Sequence, residues 1–248
     1  MNDAACCLAL ADAHLRGRSD AAQSLMVAFL DRWRRRCSHL IILGDFFEYL
    51  AGRNRRAEHE YRPVLAAIAR FAVTDYIEGN HDFDLSGGIP GLERVRLHPA
   101  PVSLDLLGLR CRLLHGDRAD ATDWASRGLR AALQSRPLRW LRDECLPQGP
   151  LFRFALAFAE VSRRHGLTLR RQEADATRQL ALAQLRAGRA TAVLFGHTHH
   201  SLLERHRDGL LLNPGAARPG GSFLLLHPNR AELRRWPDAD LLEQLSIR

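Results

Sequence analysis

Short apolar runs alternate with amphipathic stretches through the first third of the chain. Residues 6–11 are small or aliphatic and end at Asp12, which predicts a buried strand. Residues 20–36 repeat apolar positions at helical spacing, with Leu25, Phe29 and Leu30 expected to face inward. A second strand is predicted at 39–43, a second helix at 58–71 and a third strand at 73–77. This strand–helix alternation predicts an α/β sheet core with helices on its faces. After Gly79 the texture changes to short strand candidates at 95–98, 102–107 and 109–114, separated by Pro or Gly as hairpins are. Residues 118–187 are long, strongly helical and without clear strands. Strands return at 191–195, 202–205, 210–212, 222–226 and 232–236. The pattern predicts one domain over 1–248, with 118–187 as a helical insertion.

Composition narrows the class only a little. The chain has 248 residues, 46% hydrophobic and 26% charged, an ordinary globular balance that argues against disorder. The formal charge is +8, and all 36 basic residues are arginine. Arginine forks suit phosphates, but a GC-rich genome also replaces lysine with arginine. The charge therefore allows a nucleic acid, an anionic membrane or a phosphorylated small molecule. The five cysteines (Cys6, Cys7, Cys37, Cys111, Cys145) are odd in number and lack CxxC spacing. Cys6, Cys7 and Cys111 read as buried thiols, a disulfide framework is not expected, and a reducing cytosol follows. The N-terminal apolar run is short and closed by Asp12, so no signal peptide is expected. No stretch reaches the length of a membrane span.

Five polar motifs interrupt this pattern at the ends of predicted strands. They are Asp12-Ala13-His14, Gly44-Asp45, Gly79-Asn80-His81-Asp82, His115-Gly116-Asp117 and Gly196-His197-Thr198-His199. In open α/β sheets, ligands gather at the carboxyl ends of strands. The i, i+2 spacing within Asp12/His14 and within His197/His199 aims each pair at one point. Carboxylate, amide oxygen and imidazole together suit Mn²⁺, Fe²⁺, Zn²⁺ or Co²⁺. Seven candidates (Asp12, His14, Asp45, Asn80, His115, His197, His199) exceed what one ion uses, so two ions sharing a bridging carboxylate are expected. Two such ions, about 3.5–4 Å apart, clamp a phosphorus centre and acidify a water.

The ordered set resembles the calcineurin-like metallophosphoesterases, from Asp12 to His199, with Asn213-Pro214-Gly215 similar to that family's closing loop. The resemblance implies a four-layer sandwich of two mixed sheets flanked by helices. It also implies that Asp12, His14, Asp45 and His199 hold one ion, while Asp45, Asn80, His115 and His197 hold the other. His81 would contact the phosphate and either stabilise the transition state or protonate the leaving oxygen, and Asp82 would orient His81.

Residues 43–48 (Leu-Gly-Asp-Phe-Phe-Glu) and 78–83 (Glu-Gly-Asn-His-Asp-Phe) closely resemble the UDP-2,3-diacylglucosamine hydrolases, cytoplasmic pyrophosphatases of lipid A synthesis. Those enzymes carry a helical lid where this chain has 118–187. The resemblance implies an acylated nucleotide-sugar substrate, action at the inner-membrane surface, two Mn²⁺ ions and no obligate protein partner. Residues 151–158 are apolar on nearly every helical face. They read either as a helix buried between lid and body or as a surface for acyl chains formed by Phe154 and Phe158. Arg163 and Arg164, with Arg153, Arg170 and Arg171, read for the most part as a solvated helix face or else as contacts for the pyrophosphate or anionic headgroups, and Asp123 matches a lid-base aspartate. One residue departs from the pattern: many lipid A enzymes carry Arg after the motif Asn, where this chain has His81. A different nucleotide-linked or phospholipid substrate stays open on that ground. The enzymatic rival is a nuclease, supported by charge alone. A catalytically inactive scaffold is opposed by the complete ligand set.

Overall fold

The computed structural model describes residues 6–117, 119, 135–165 and 170–247, without the side chains of 161–165 and 170–173. Strand β1 (Cys7–Leu10) alternates small and large side chains: Cys7 and Ala9 face one way, Leu8 and Leu10 the other. Its large face packs under helix α1 (Ala21–Trp33), whose Met26, Phe29, Leu30 and Trp33 form one buried stripe. Asp20 caps that helix by accepting from Ala22 N at 3.0 Å. Leu25 was expected on the same stripe. It is instead 45% exposed, because the stripe is centred one residue later, on Met26 and Leu30.

Strand β2 (His39–Ile42) pairs parallel with β1. Then follow the two-residue β3 (Leu50–Ala51), helix α2 (Arg55–Ile68), β4 (Val73–Ile77), β5 (Asp82–Phe83) and β6 (Arg96–His98). Pro63 inside α2 cannot donate to the carbonyl of His59. That carbonyl takes Arg18 Nε instead (3.1 Å), while Gln23 Nε2 donates to the carbonyl of Glu60 (2.9 Å). The proline therefore becomes the seat on which the loop before α1 docks.

Strands β7 (Val102–Leu106) and β8 (Leu109–Leu114) form the expected hairpin. The helical block contains α3 (Arg136–Trp140), a single π turn at Leu141–Cys145, α4 (Gln148–His165) and α5 (Arg170–Arg186). The chain then returns through β9 (Ala192–Phe195), β10 (Leu202–His206), β11 (Gly209–Asn213), β12 (Ser222–His227), β13 (Arg230–Arg235) and β14 (Leu241–Ser246). The seven-stranded sheet runs β14-β13-β12-β1-β2-β4-β6 and the five-stranded sheet β10-β11-β9-β8-β7, with β3-β5 as a small third sheet.

Cys7, Ala9, Ile41, Leu43 and Ile77 of the first sheet meet Cys111, Leu113, Leu194 and Leu212 of the second. Ala181, Leu182 and Leu185 of α5 cover the second sheet's outer face against Val193, Phe195 and Leu211. Helices, sheet, sheet and helix make four layers, as expected. The cysteine expectation needs correcting: Cys6 and Cys37 form a disulfide between the entry to β1 and the entry to β2. Cys7 and Cys111 are buried free thiols. No helix among the described residues is long and apolar enough to cross a membrane.

Candidate metal centre

Strands β1, β2 and β4 are parallel, as are β8 and β9, so their carboxyl ends lie together. Backbone pairing continues past β1, with Asp12 N on Gly44 O (3.1 Å) and His14 N on Asp45 O (3.0 Å). This locks the first two motifs side by side. Asp12 in turn accepts from His197 N (2.9 Å to Oδ2), which draws the last motif onto the first. Asn213 supports that turn from below, donating to Gly196 O (3.3 Å) and Thr198 Oγ1 (3.1 Å).

Asp12 and His14 share one group of side chains, whereas His197 and His199, expected to aim at one point, fall in different groups. One ligand atom each from Asp12, His14 and His199 lies within 4.8 Å of the others. The same holds for Asp45, His115 and His197, and for His14, Asp45 and His81. Nε2 of His14 stands 3.2 Å from Nε2 of His199. Nε2 of His115 is 3.2 Å from Asn80 Oδ1 and 3.4 Å from Asp45 Oδ2. Asp45 thus belongs to both ends of the cluster. Its neighbours make room: a Cβ on Gly44 would come within 2.6 Å of His115 Nδ1, and one on Gly79 would strike the Asp45 carboxylate.

Two observations test whether divalent ions fit this donor set. First, Asp12, His14, Asp45, His197 and His199 all hold φ between 48° and 70°, a left-handed backbone that ordinary residues avoid. Such strain collects where side-chain aim matters more than backbone comfort. Second, the protonation pattern is that of a buried site short of positive charge. Burial pushes Asp12 well above the ordinary carboxylate range, with Asp45 adding to the rise. Burial also opposes charge on His115, yet Asp45, Asp117 and Asp12 outweigh it and raise its pKa to about 10. His115 Nδ1 lies 2.7 Å from Leu43 O and donates to it, so the extra proton sits on Nε2, among the oxygens. Burial and the neighbouring His115 lower His197 to about 4. Asp45 lies well below the usual range: burial raises it, but His115, His81 and His14 prevail. A cation among these atoms would satisfy both carboxylates and displace the His115 proton.

His81 is partly exposed beside this cluster, its N–H on Asp45 Oδ1 (2.9 Å) and its ring edge-on to His14 at 4.9 Å. The orienting role expected of Asp82 needs correction. Its carboxylate accepts from the N–H groups of Asp45 (2.9 Å), Phe46 (2.6 Å), Phe47 (3.2 Å) and Gly79 (2.9 Å), and from Tyr76 OH (2.6 Å). Asp82 therefore knits the two loops, and this buried congestion with Asp45 raises its pKa to about 6. The residue against His81 is Glu48. Its carbonyl takes His81 Nδ1 at 2.9 Å, and its buried carboxylate lies 3.6 Å from the same nitrogen and 3.9 Å from His14 Nδ1. Glu48 and Tyr76 were not singled out from the sequence.

The two readings of the phenylalanine-rich helix divide between residues. Phe152 is buried, 5.9 Å from Tyr61 and 6.5 Å from Tyr49. Phe154 and Phe158 are 68% and 61% exposed and stack on each other at 6.3 Å. Arg153 is exposed. Asp123, and the side chains of Arg163, Arg164, Arg170 and Arg171, lie outside the described residues.

Two sheets that bring carboxylates, an asparagine and imidazoles together at their strand ends define a metal-dependent phosphoester hydrolase. The model of the calcineurin-like phosphoesterase family matches residues 7–201, and the chain belongs to that family. A UDP-2,3-diacylglucosamine hydrolase of Chromobacterium violaceum is 31% identical over 205 residues, covering 79% of this chain and 84% of its own. One from Coxiella burnetii is 26% identical over 223 residues, covering 88% and 91%. Among solved structures, Vps29 of Entamoeba histolytica complexed with zinc shares the fold, with a TM-score of 0.53 at 17% identity, over 98% of this chain and 99% of that one.

Proposed function

We propose that the chain hydrolyses the pyrophosphate of UDP-2,3-diacylglucosamine, releasing UMP and 2,3-diacylglucosamine 1-phosphate. Asp12, His14, Asp45 and His199 hold one divalent ion, and Asp45, Asn80, His115 and His197 the other, with Mn²⁺ the proposed metal. When bound, the ions supply Lewis-acid charge that activates water and polarises the phosphoryl oxygens. Asn80 and His81 contact the phosphate. Held at Nδ1 by the Glu48 carbonyl, His81 turns its other nitrogen to the phosphoryl or leaving oxygen and delivers a proton there. Water oxygen bonds to one phosphorus, the P–O bond to the bridging oxygen breaks, and that oxygen leaves with the other phosphate.

The block 118–187 acts as a lid in this reading. Phe154 and Phe158 receive the acyl chains, and Asp123, Arg163 and Arg164 contact the polar part of the substrate. The enzyme works in the cytoplasm, peripherally on the inner membrane, and needs no protein partner. The observation that carries the substrate reading is the exposed Phe154–Phe158 stack, an apolar face on a helix of a hydrolase whose relatives bear this substrate's name.

The test is UMP release from UDP-2,3-diacylglucosamine by the Mn²⁺-loaded protein, with Asp45→Ala and EDTA as controls. Release that needs Asp45 and metal supports the proposal. Chelator-sensitive cleavage of bis(p-nitrophenyl) phosphate without UMP release would retain the phosphoesterase and discard the lipid substrate. The +8 charge favours a polyanionic phosphodiester as the next candidate.

A further inference from the structure

Arg142 is a buried arginine on an exposed segment. It sits in the π turn between α3 and α4, only 6% exposed, while Trp140, Leu141 and Leu146 around it are open to solvent. Single π turns are uncommon and recur at functional sites. The guanidinium is bound on two sides. Nη2 donates to Asp84 Oδ2 at 2.7 Å, and Nε donates to Asp143 Oδ1 at 2.6 Å. Its Cζ lies 5.9 Å above the ring of Phe83. Arg139, one turn earlier, closes on the other oxygen of Asp84 at 2.5 Å. Gly52 leaves the space that the guanidinium fills, since any Cβ there would collide with it.

What these groups have in common is the β3–β5 pair. Asp84 follows β5 directly, on left-handed backbone (φ 63°), and Phe83 belongs to β5. Gly52 N donates to Phe83 O at 3.2 Å and Leu50 N to His81 O at 3.0 Å, so β3 holds the backbone of His81 itself. From the other side, Gln148 at the start of α4 donates to the carbonyl of Arg142 at 2.9 Å. One guanidinium therefore joins the helical block to the strand that directly follows His81.

We infer that Arg142 is a positioning residue for His81, clamping β5 through Asp84 and Phe83 so that the imidazole stays at the distance its proton transfer needs. The inference rests on the reading of His81 as the group that acts on the leaving oxygen. A two-residue strand has little ladder of its own to resist displacement, which is why an outside clamp matters. Placement errors of about 1 Å at a reacting group cost up to roughly a hundredfold in rate.

The test compares Arg142→Met, Asp84→Asn, His81→Ala and the double variant R142M/H81A. The substrates are bis(p-nitrophenyl) phosphate and the less activated diphenyl phosphate. Arg142→Met is expected to lower kcat by roughly tenfold on the first with KM unchanged, and by more on the second, whose leaving phenolate needs the proton. In the His81→Ala background the same substitution should add no more than about twofold, because residues acting as one unit are not additive. Asp84→Asn keeps the side-chain shape and carries the same cycle if Arg142→Met does not fold. Losses that multiply in the double variant, or that are equal on both substrates, overturn the clamp alone. A His81→Ala protein with undiminished chelator-sensitive activity overturns the His81 reading, and the clamp with it.

Discussion

Left-handed backbone at Asp12, His14, Asp45, His197 and His199 costs the fold on the order of 1 kcal/mol or more at each. Comparing two removals of one carboxylate isolates that cost. Asp45→Gly and Asp45→Ala should both abolish metal-dependent cleavage, yet the glycine protein should be more stable by about 1 kcal/mol in urea denaturation, since glycine adopts φ 52° freely. Equal stability would show that Asp45 is not strained there. The cysteines allow a second check at this scale. Burial pushes Cys7 and Cys111 up to about 12, whereas Cys145 is exposed. At pH 8 one thiol per native chain should react with a disulfide reagent, and three after denaturation without reductant. Five in the second case would exclude the Cys6–Cys37 bridge. The candidate ligands stood out because Asp12/His14 and His197/His199 are polar i, i+2 pairs, and Asp45, Asn80 and His115 each stand beside a glycine at the end of an apolar run. Glu48 was not, since nothing near position 48 says that His81 will lie against its carbonyl.

Between strands, β2, β4 and β6 are tied by one buried carboxylate. Asp75 accepts from His39 Nε2 (2.7 Å), His98 Nε2 (2.7 Å) and Arg96 Nη2 (2.6 Å). Burial alone would raise its pKa, but these partners lower it below the usual range. A carboxylate depressed in the folded state stabilises above its unfolded pKa and loses that contribution as pH falls through the folded value. Asp75→Asn should therefore cost about 2–3 kcal/mol at pH 7, with the gap to wild type narrowing below about pH 4. A gap constant from pH 7 to 3 would remove the charge from the account. On α4, replacing Phe154 and Phe158 with Ser should raise KM for the acylated substrate and spare bis(p-nitrophenyl) phosphate. Equal loss on both would sink the acyl assignment. Long strands and helices were readable from periodicity. The pairs β3 and β5 were not, because two residues carry no period, and the placement of Leu25 failed because Leu25 and Met26 compete for one stripe.

For the molecule as a whole, the candidate centre bridges both sheets, so filling it should stabilise everything at once. Mn²⁺ at a hundredfold over its Kd adds about 2.7 kcal/mol per site, or roughly 5–10 °C in Tm for a chain of this length. Scanning calorimetry with and without EDTA measures it, and an unchanged Tm would count against metal binding in the folded state. A sheet core with helices on its faces was foreseeable from the alternation of strands and helices, whereas the four layers were implied only by the resemblance to the calcineurin-like family. Which strand ends would face each other came only from the parallel pairing of β1 with β2 and of β8 with β9. That cross-sheet assembly also has a history in time. Asp12 and the His197 amide that it holds are 185 residues apart. On a ribosome adding roughly 5–20 residues per second, Asp12 is made about ten seconds or more before His197 exists. The growing chain offers passing ions only fragments of a cage, so the choice of metal belongs to the finished protein and the cell pool it meets.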